Sequence, residues 1–350
     1  MTVVFVTGAS GFLGQYLVVE LLRQNYQVRA VIRPASSEKK FSWHNHPNVE
    51  LVRLDLRQKR GITEALQGVD AVIHLAATKA GDFYTQFAGT VVATENLLEG
   101  MIQAGVKRLV AISTFSVYDW LHIKSGQLVD ENAPLDKNPI YRDEYAQTKL
   151  IQEELIREFE KTQSAPVTII RPGMIYGRDN LWHAHLGAEL GDNLWLKIGE
   201  NATLPLSYVE NSASAIVAAL NSQESIGQTL NILDDDLPTQ KVYLEKLLLK
   251  TPQPPRMIPI SWPVMRTIVD LMWFYNQKFL KGQAKFPGIF VPAKLHPRFK
   301  PYRFTNRRAK EILNWTPAYS LDVALDRSCS DQDLLEIAPV ADQPTLLSKT

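Results

Sequence analysis

The hydrophobic positions in the first half of the chain fall into two alternating textures. Short, continuous apolar runs occur at Val3–Thr7, Val28–Ile32, Val49–Leu54, Ala71–Leu75, Leu109–Ile112 and Val167–Ile170. Their length and their content of β-branched residues predict strands buried on both faces. Between them the apolar residues recur at helical spacing. Leu13, Leu17, Leu21 and Leu22 mark one helix, and a short one begins near Ile62. Val91, Leu97, Leu98, Met101 and Ile102 mark a third, and Glu144 to Phe159 a fourth. Strands separated by helices of this length predict βαβ units. The expected fold class is therefore α/β, a doubly wound parallel sheet of the Rossmann type.

Beyond Pro172 this alternation fades, and from Pro252 to Pro301 prolines and aromatics crowd the chain. Two pieces read as returning to the main body, an alanine-rich helix at Asn211–Leu220 and a strand at Thr229–Leu233. The expected organisation is a dinucleotide-binding body of residues 1–172 plus about 206–234. A smaller, discontinuous C-terminal substrate lobe would take about 173–205 and 235–327, and 328–350 a loose polar tail. The stretch from Met257 to Tyr275 is apolar but holds Arg266, Asp270, Pro259 and Pro263. A bilayer span needs about 20 uninterrupted apolar residues. The stretch reads as a core helix of the smaller lobe, with contact to a membrane surface as the alternative. The opening MTVVFVTGAS lacks the basic start of an export signal, so the expected address is cytoplasmic.

Composition narrows the chemistry. Of 350 residues, 38 are Lys or Arg and 37 are Asp or Glu, giving a net charge of +1. Such balance does not support nucleic-acid binding, which leaves a basic footprint. One cysteine, Cys329, forms no internal disulfide and no thiolate metal cage. The pairs His44/His46 and His183/His185 have no carboxylate or cysteine cluster nearby at ligand spacing, so they read as structural or surface histidines and no metal is expected. Asp234–Asp236 reads as a solvated turn. Redox chemistry would have to come from a bound organic cofactor and a small-molecule substrate.

The segment VVFVTGASGFLG sets Gly8, Gly11 and Gly14 between a strand and a helix. Glycines allow the tight turn and a close backbone approach to a pyrophosphate, which the helix amino end attracts. At the end of the second strand, where NAD binders usually carry an acid, stands Arg33, with no acid before Glu38. A guanidinium suits the 2′-phosphate of NADP, and NADP is the cofactor expected, with NAD as the alternative. Tyr145 and Lys149 in EYAQTKL are four apart and share one helix face. A nearby cation favours a phenolate, so the spacing predicts a tyrosine acid lowered toward working pH. Ser113 and Thr114 follow the fifth strand, at the edge where doubly wound sheets bind ligands.

In this order TGASGFLG, VRLDL, HLAAT, ATENLLE, ISTFSVY, YAQTK, RPGMIYG, LSYVENSASAI and RRAKEILNWTP resemble the extended short-chain dehydrogenase/reductase superfamily, within its NAD-dependent epimerase/dehydratase group. The resemblance covers roughly residues 3 to 325 and is specific for the superfamily, not for a substrate. It implies Tyr145 as general acid/base, Lys149 on the nicotinamide ribose and Thr114 holding substrate oxygen. Gly8, Ser10, Gly11, Phe12 and Leu13 would line the pyrophosphate turn. Asp55 and Leu56 would meet the adenine, Ala76, Ala77 and Thr78 the middle of the cofactor, and Pro172 and Gly173 the nicotinamide. Arg33 matches the arginine of NADP-dependent reductases, including dihydroflavonol-reductase-like and hydroxysteroid-dehydrogenase-like members. Homodimers are common in the superfamily. Phe115 and Ser116 replace the Asp-Glu pair of the 4,6-dehydratases, which argues against that reaction. Thr90 stands where many members carry an asparagine. Arg303, Arg307 and Arg308 would either face a substrate phosphate or sit on the surface. Three functions compete: an NADP-dependent oxidoreductase of carbonyls or secondary alcohols, a nucleotide-sugar epimerase that recycles NAD, and a non-catalytic NADP sensor.

Overall fold

The computed structural model describes residues 1–36, 41–191 and 193–330. Seven strands form one parallel sheet: β1 (Val3–Thr7), β2 (Gln27–Ile32), β3 (Val49–Arg53), β4 (Ala71–His74), β5 (Arg108–Ile112), β6 (Val167–Pro172) and β7 (Thr229–Ile232). Their order across the sheet is β7-β6-β5-β4-β1-β2-β3. The strands are apolar on both faces, and successive residues feed opposite cores. Val4 and Val6 pack on one side with α1 (Phe12–Arg23) and α4 (Val209–Asn221). Phe5 packs on the other side, with α2 (Ala93–Ala104) and α3 (Glu144–Gln163). The order reverses beside β1, so the crevice between the β1 and β4 ends is where such a sheet receives a ligand.

Several boundaries differ from the sequence expectation, each for a local reason. The helix expected from Val91 is preceded by a short helix, Phe83–Phe87, and a π-helical turn, Ala88–Val92, before α2 begins. Within that turn the Thr90 hydroxyl accepts from the Thr78 amide at 3.0 Å, which binds the helix to the loop after β4. α3 runs on to Gln163, where Ser164 adopts a left-handed conformation (φ 47°) and stops it. Asp234 is no solvated turn. It is buried, and its carboxylate accepts from the Tyr208 amide and from Asn211 Nδ2 at 2.8 Å.

Outside the sheet, Ala188–Gly191, Leu194–Ile198 and Arg256–Ile260 form a three-stranded sheet beside α5 (Trp262–Phe279) and α6 (Pro292–Phe299). The stretch expected as one helix from Met257 is thus a strand followed by a helix. Pro263 sits in the first turn of that helix, where a proline breaks no helical hydrogen bond. α5 is not a core helix either, because Met265, Val269 and Asn276 are its only buried residues. Ser328 and Cys329 close α7 (Leu321–Cys329), and the rest of the expected tail, 331–350, lies outside the described residues, as does Glu38.

Candidate active site

A cavity of about 930 Å³ runs along the carboxyl edge of the sheet. Every residue singled out above for cofactor or catalysis lines it: Gly8, Ser10, Gly11, Phe12, Leu13 and Arg33 from the β1 and β2 ends, Asp55, Leu56, Ala76, Ala77 and Thr78 after β3 and β4, and Ser113, Thr114, Tyr145, Lys149, Pro172 and Gly173 at the far end. Gly8 holds φ +70°, and a Cβ there would press on the Ala76 amide nitrogen at 3.0 Å. At Gly14 a Cβ would run into the Gly8 carbonyl oxygen. The turn is therefore backbone packed on backbone. α1 starts at Gly11 with no capping side chain and no acid in its first turn, leaving amides free for an anion. These features fit a dinucleotide pyrophosphate.

At the adenosine end, Arg33 is joined by a residue that sequence reasoning passed over. Arg57 Nη2 lies 2.6 Å from Asp55 Oδ2, and its Nε donates to Oδ1 at 2.9 Å. That hydrogen bond holds the Asp55 carboxyl below its usual range, with the charges of Arg57 and Arg33 adding to it.

At the far end, Asp143 caps α3 by accepting from the Ala146 amide at 2.9 Å, which places Tyr145 in the first turn. Lys149 is buried one turn on, but it does not lower the tyrosine. Its Nζ donates to the Ile112 carbonyl at 2.5 Å and to Gln152 Oε1, which engages two of its three protons. Burial pushes Tyr145 up to about 12, against a hydrogen bond from Thr114 that pulls it down. Burial likewise brings Lys149 down to about 7. The phenol is therefore raised where the spacing predicted it lowered, which keeps its proton in place at neutral pH. Lys79, also unforeseen, sets its ammonium 5.7 Å from the Tyr145 ring centre.

A buried polar chain ties these parts together. The Thr7 hydroxyl accepts from the Leu75 and Ala76 amides, each at 3.1 Å, and meets His74 Nδ1 at 2.7 Å. His74 Nε2 meets Thr94 Oγ1 at 2.8 Å, and that hydroxyl donates to the Thr90 carbonyl at 2.6 Å. Gln152 Nε2 donates to Thr94 Oγ1 at 2.7 Å, while its Oε1 accepts from Lys149. His74 Nε2 also lies 3.1 Å from Gln152 Nε2, so both ring nitrogens are held within the polar chain. Burial keeps His74 neutral, holding it down at about 3. The only sequence signal for Gln152 was its place three residues after Lys149.

Ser113 is occupied, because its hydroxyl donates to Glu153 at 2.7 Å and Glu153 in turn binds Arg171. Thr114 remains the hydroxyl beside the tyrosine. His183 and His185, expected as structural or surface residues, line the cavity with Arg298 and Lys294. Burial holds His185 down at about 3, and neither His183 ring nitrogen has a hydrogen-bond partner among the described residues. Arg303, Arg307 and Arg308 lie outside the cavity lining, the first donating to the Gly126 carbonyl at 3.0 Å and the second facing Glu311. Among the described residues no group of three His, Cys, Asp or Glu could hold a metal ion, and no helix is long and apolar enough to cross a membrane.

The family model described as NAD dependent epimerase/dehydratase family matches residues 4–232. The chain belongs to that family. It is thus an enzyme of the extended short-chain dehydrogenase type, built for oxidoreductase chemistry with a nicotinamide cofactor. The NAD dependent epimerase/dehydratase family member resembles human sterol-4-alpha-carboxylate 3-dehydrogenase, decarboxylating, with 26% identity over 345 residues, 92% of this chain and 86% of that protein. It is 31% identical over 350 residues to 3beta-hydroxysteroid-dehydrogenase/decarboxylase isoform 1 of Arabidopsis thaliana, covering 92% of this chain and 78% of that one. Among solved structures, UDP-glucuronic acid 4-epimerase from Bacillus cereus in complex with NAD superposes with a TM-score of 0.70 at 22% identity. That match covers 95% of this chain and 98% of that one, a likeness of fold.

Proposed function

We propose that this protein is an NADP-dependent oxidoreductase acting on a carbonyl or secondary alcohol. The observation that carries the reading is the Tyr145 phenol, lining with Thr114 the same cavity as the Gly8–Gly14 turn. When bound, the nicotinamide supplies or accepts the hydride. Tyr145 holds the proton that reaches the substrate oxygen in reduction, and its raised pKa keeps that proton in place at neutral pH. Thr114 orients the oxygen beside it. Lys149, anchored by Ile112 and Gln152, positions the ribose, and Thr7, His74 and Thr94 brace that lysine.

Arg33 and Arg57 favour a 2′-phosphate over a bare hydroxyl, because Asp55 is already neutralised by Arg57. The substrate end supports an acidic substrate: Lys79 and Arg298 line it, and among the described residues neither makes an ion pair with a carboxylate. The sterol and hydroxysteroid dehydrogenases among the relatives agree with oxidation or reduction at a ring carbon. The test is NADPH consumption against panels of ketones, keto acids and sugar nucleotides, with Tyr145→Phe beside the parent. The variant should lose at least about a hundredfold in turnover, the usual contribution of a positioned acid, and still bind NADPH. A protein that keeps NAD through purification and interconverts sugar nucleotides without added cofactor would overturn the reading, as would full activity in Tyr145→Phe.

A further inference from the structure

We propose that the outer face of α5 docks on an anionic phospholipid surface. α5 carries two apolar stripes at helical spacing. One, with Met265 and Val269, faces inward and packs on Leu295 and Phe299 of α6. The other, Val264, Ile268, Leu271, Tyr275 and Phe279, faces out. Val264 is 52% exposed, Leu271 64%, Tyr275 54% and Phe279 60%. Phe274, beside this stripe, is 56% exposed. The surface continues past the helix, because the half-exposed Tyr141 meets Trp273 edge-on at 5.1 Å and the neighbouring Ile140 is exposed. Scattered apolar residues need no explanation on a soluble protein, but a contiguous strip of large ones marks a contact surface.

The charges around the strip choose the partner. Lys278, Lys281 and Lys285 follow one another at its carboxyl end, all exposed and none in an ion pair with a described residue. The Lys278 ammonium lies 5.3 Å from the Phe274 ring centre and 5.8 Å from that of Phe279, so charge and apolar face are interleaved. The one acid on the helix, Asp270, is engaged by Arg266 at 3.2 Å. Residues 256–300 expose Arg256, Arg266, Lys278, Lys281 and Lys285 against that single acid, in a chain whose total charge is only +1. Large apolar side chains flanked by lysines are what a helix lying in a lipid headgroup layer presents. A second copy of this chain fits less well. A two-fold contact brings the same patch of each protomer together, and its one acid, Asp270, is already engaged by Arg266, so a copy offers these lysines no free anion. The strip also borders the substrate end of the cavity. Residues 142–145, directly after Tyr141, line that cavity, as do Pro297 and Arg298 on α6. A lipid surface held here would lie beside the substrate end of the cavity.

The test uses the full chain in vesicle flotation. The expected result is binding to vesicles of phosphatidylcholine with one-third phosphatidylglycerol, weak binding to phosphatidylcholine alone, and release at high salt. One basic residue near an anionic membrane contributes about five-fold in partitioning. The triple variant Lys278→Gln, Lys281→Gln, Lys285→Gln should therefore lose about a hundredfold. Leu271→Glu with Phe274→Glu should abolish binding while NADPH affinity and the melting temperature stay at parental values, since both side chains lie outside the core. No flotation of the full chain at low salt would overturn the proposal, as would equal binding by parent and both variants. So would a dimer in sedimentation that Leu271→Glu dissolves.

Discussion

Replacing Arg57 by alanine should change which dinucleotide the cavity prefers. In the structure this guanidinium has two tasks, since it neutralises Asp55 through contacts at 2.6 and 2.9 Å and it lines the adenosine end of the cavity beside Arg33. A hydrogen bond from a charged donor contributes about 1.5–3 kcal/mol, and the exposure of Arg57 argues for the lower end. Its loss also frees the Asp55 carboxylate. Set about 4 Å from a phosphate oxygen in near-aqueous surroundings, that carboxylate adds a repulsion of about 1 kcal/mol. Together these give about 2.5 kcal/mol, or nearly two orders of magnitude in the NADPH dissociation constant. NADH lacks the 2′-phosphate, and its affinity should move by less than about threefold, or improve as Asp55 becomes free to accept from the ribose hydroxyl. Arg33→Ala removes one attraction and unmasks no acid, so it should cost NADPH only about tenfold. Titration of NADPH and NADH by their fluorescence, at low and high salt, measures all of this without a known substrate. The reasoning fails if the parent binds NADH more tightly than NADPH, or if Arg57→Ala weakens both by the same factor.

Two further outcomes follow from the buried polar chain and the buried histidines. Gln152→Leu removes the acceptor of a buried ammonium and the donor to Thr94, and should lower stability by about 2–4 kcal/mol in urea unfolding; a loss below about 0.5 kcal/mol would show that the chain contributes little. The fold should also weaken in mild acid. His74 and His185 sit at about 3 in the native state, so below pH 6.5 the unfolded chain takes up their protons first and stability falls with pH, by about 2 kcal/mol each down to pH 5. Asp234 has the opposite sign. It is raised to about 6, so the native state holds its proton longer than the unfolded one and regains about 1.4 kcal/mol between pH 6 and 5. These three groups give a loss of about 2–3 kcal/mol between pH 6.5 and 5, to which the lowered His183 and His296 add, and unchanged or higher stability at pH 5 in urea unfolding would contradict it.

The sheet was legible because its strands are apolar on both faces and are bounded by glycines and helices. Val3–Thr7 and Val28–Ile32 can hardly be anything else in that setting. The cofactor turn was legible because glycine there answers a steric demand that no other residue meets. The far end of the cavity was less readable. Gln152 carries no motif and His74 only opens the HLAAT segment, and their roles come from a hydrogen-bond line that crosses from β1 through β4 and α2 to α3, contacts distant in sequence. The i, i+4 spacing of Tyr145 and Lys149 put both residues on one helix face, and both line the cavity. It did not show where the lysine protons go, because that depends on Ile112 and Gln152. α5 was misjudged for a related reason. Its two apolar stripes give one strong periodic signal, and periodicity does not say which stripe the protein itself covers.

The pairing of Thr7 with His74 matters for folding as much as for the site. These two residues stand on the same rung of the β1–β4 ladder. Strands greasy on both sides could slide past one another by two residues and still bury their side chains. A shifted alignment would strand the imidazole and the hydroxyl against hydrocarbon, each without its mate. The pair thus works as a registration pin, letting an otherwise slippery sheet settle in a single alignment and setting the cofactor turn and the lysine opposite each other when it does.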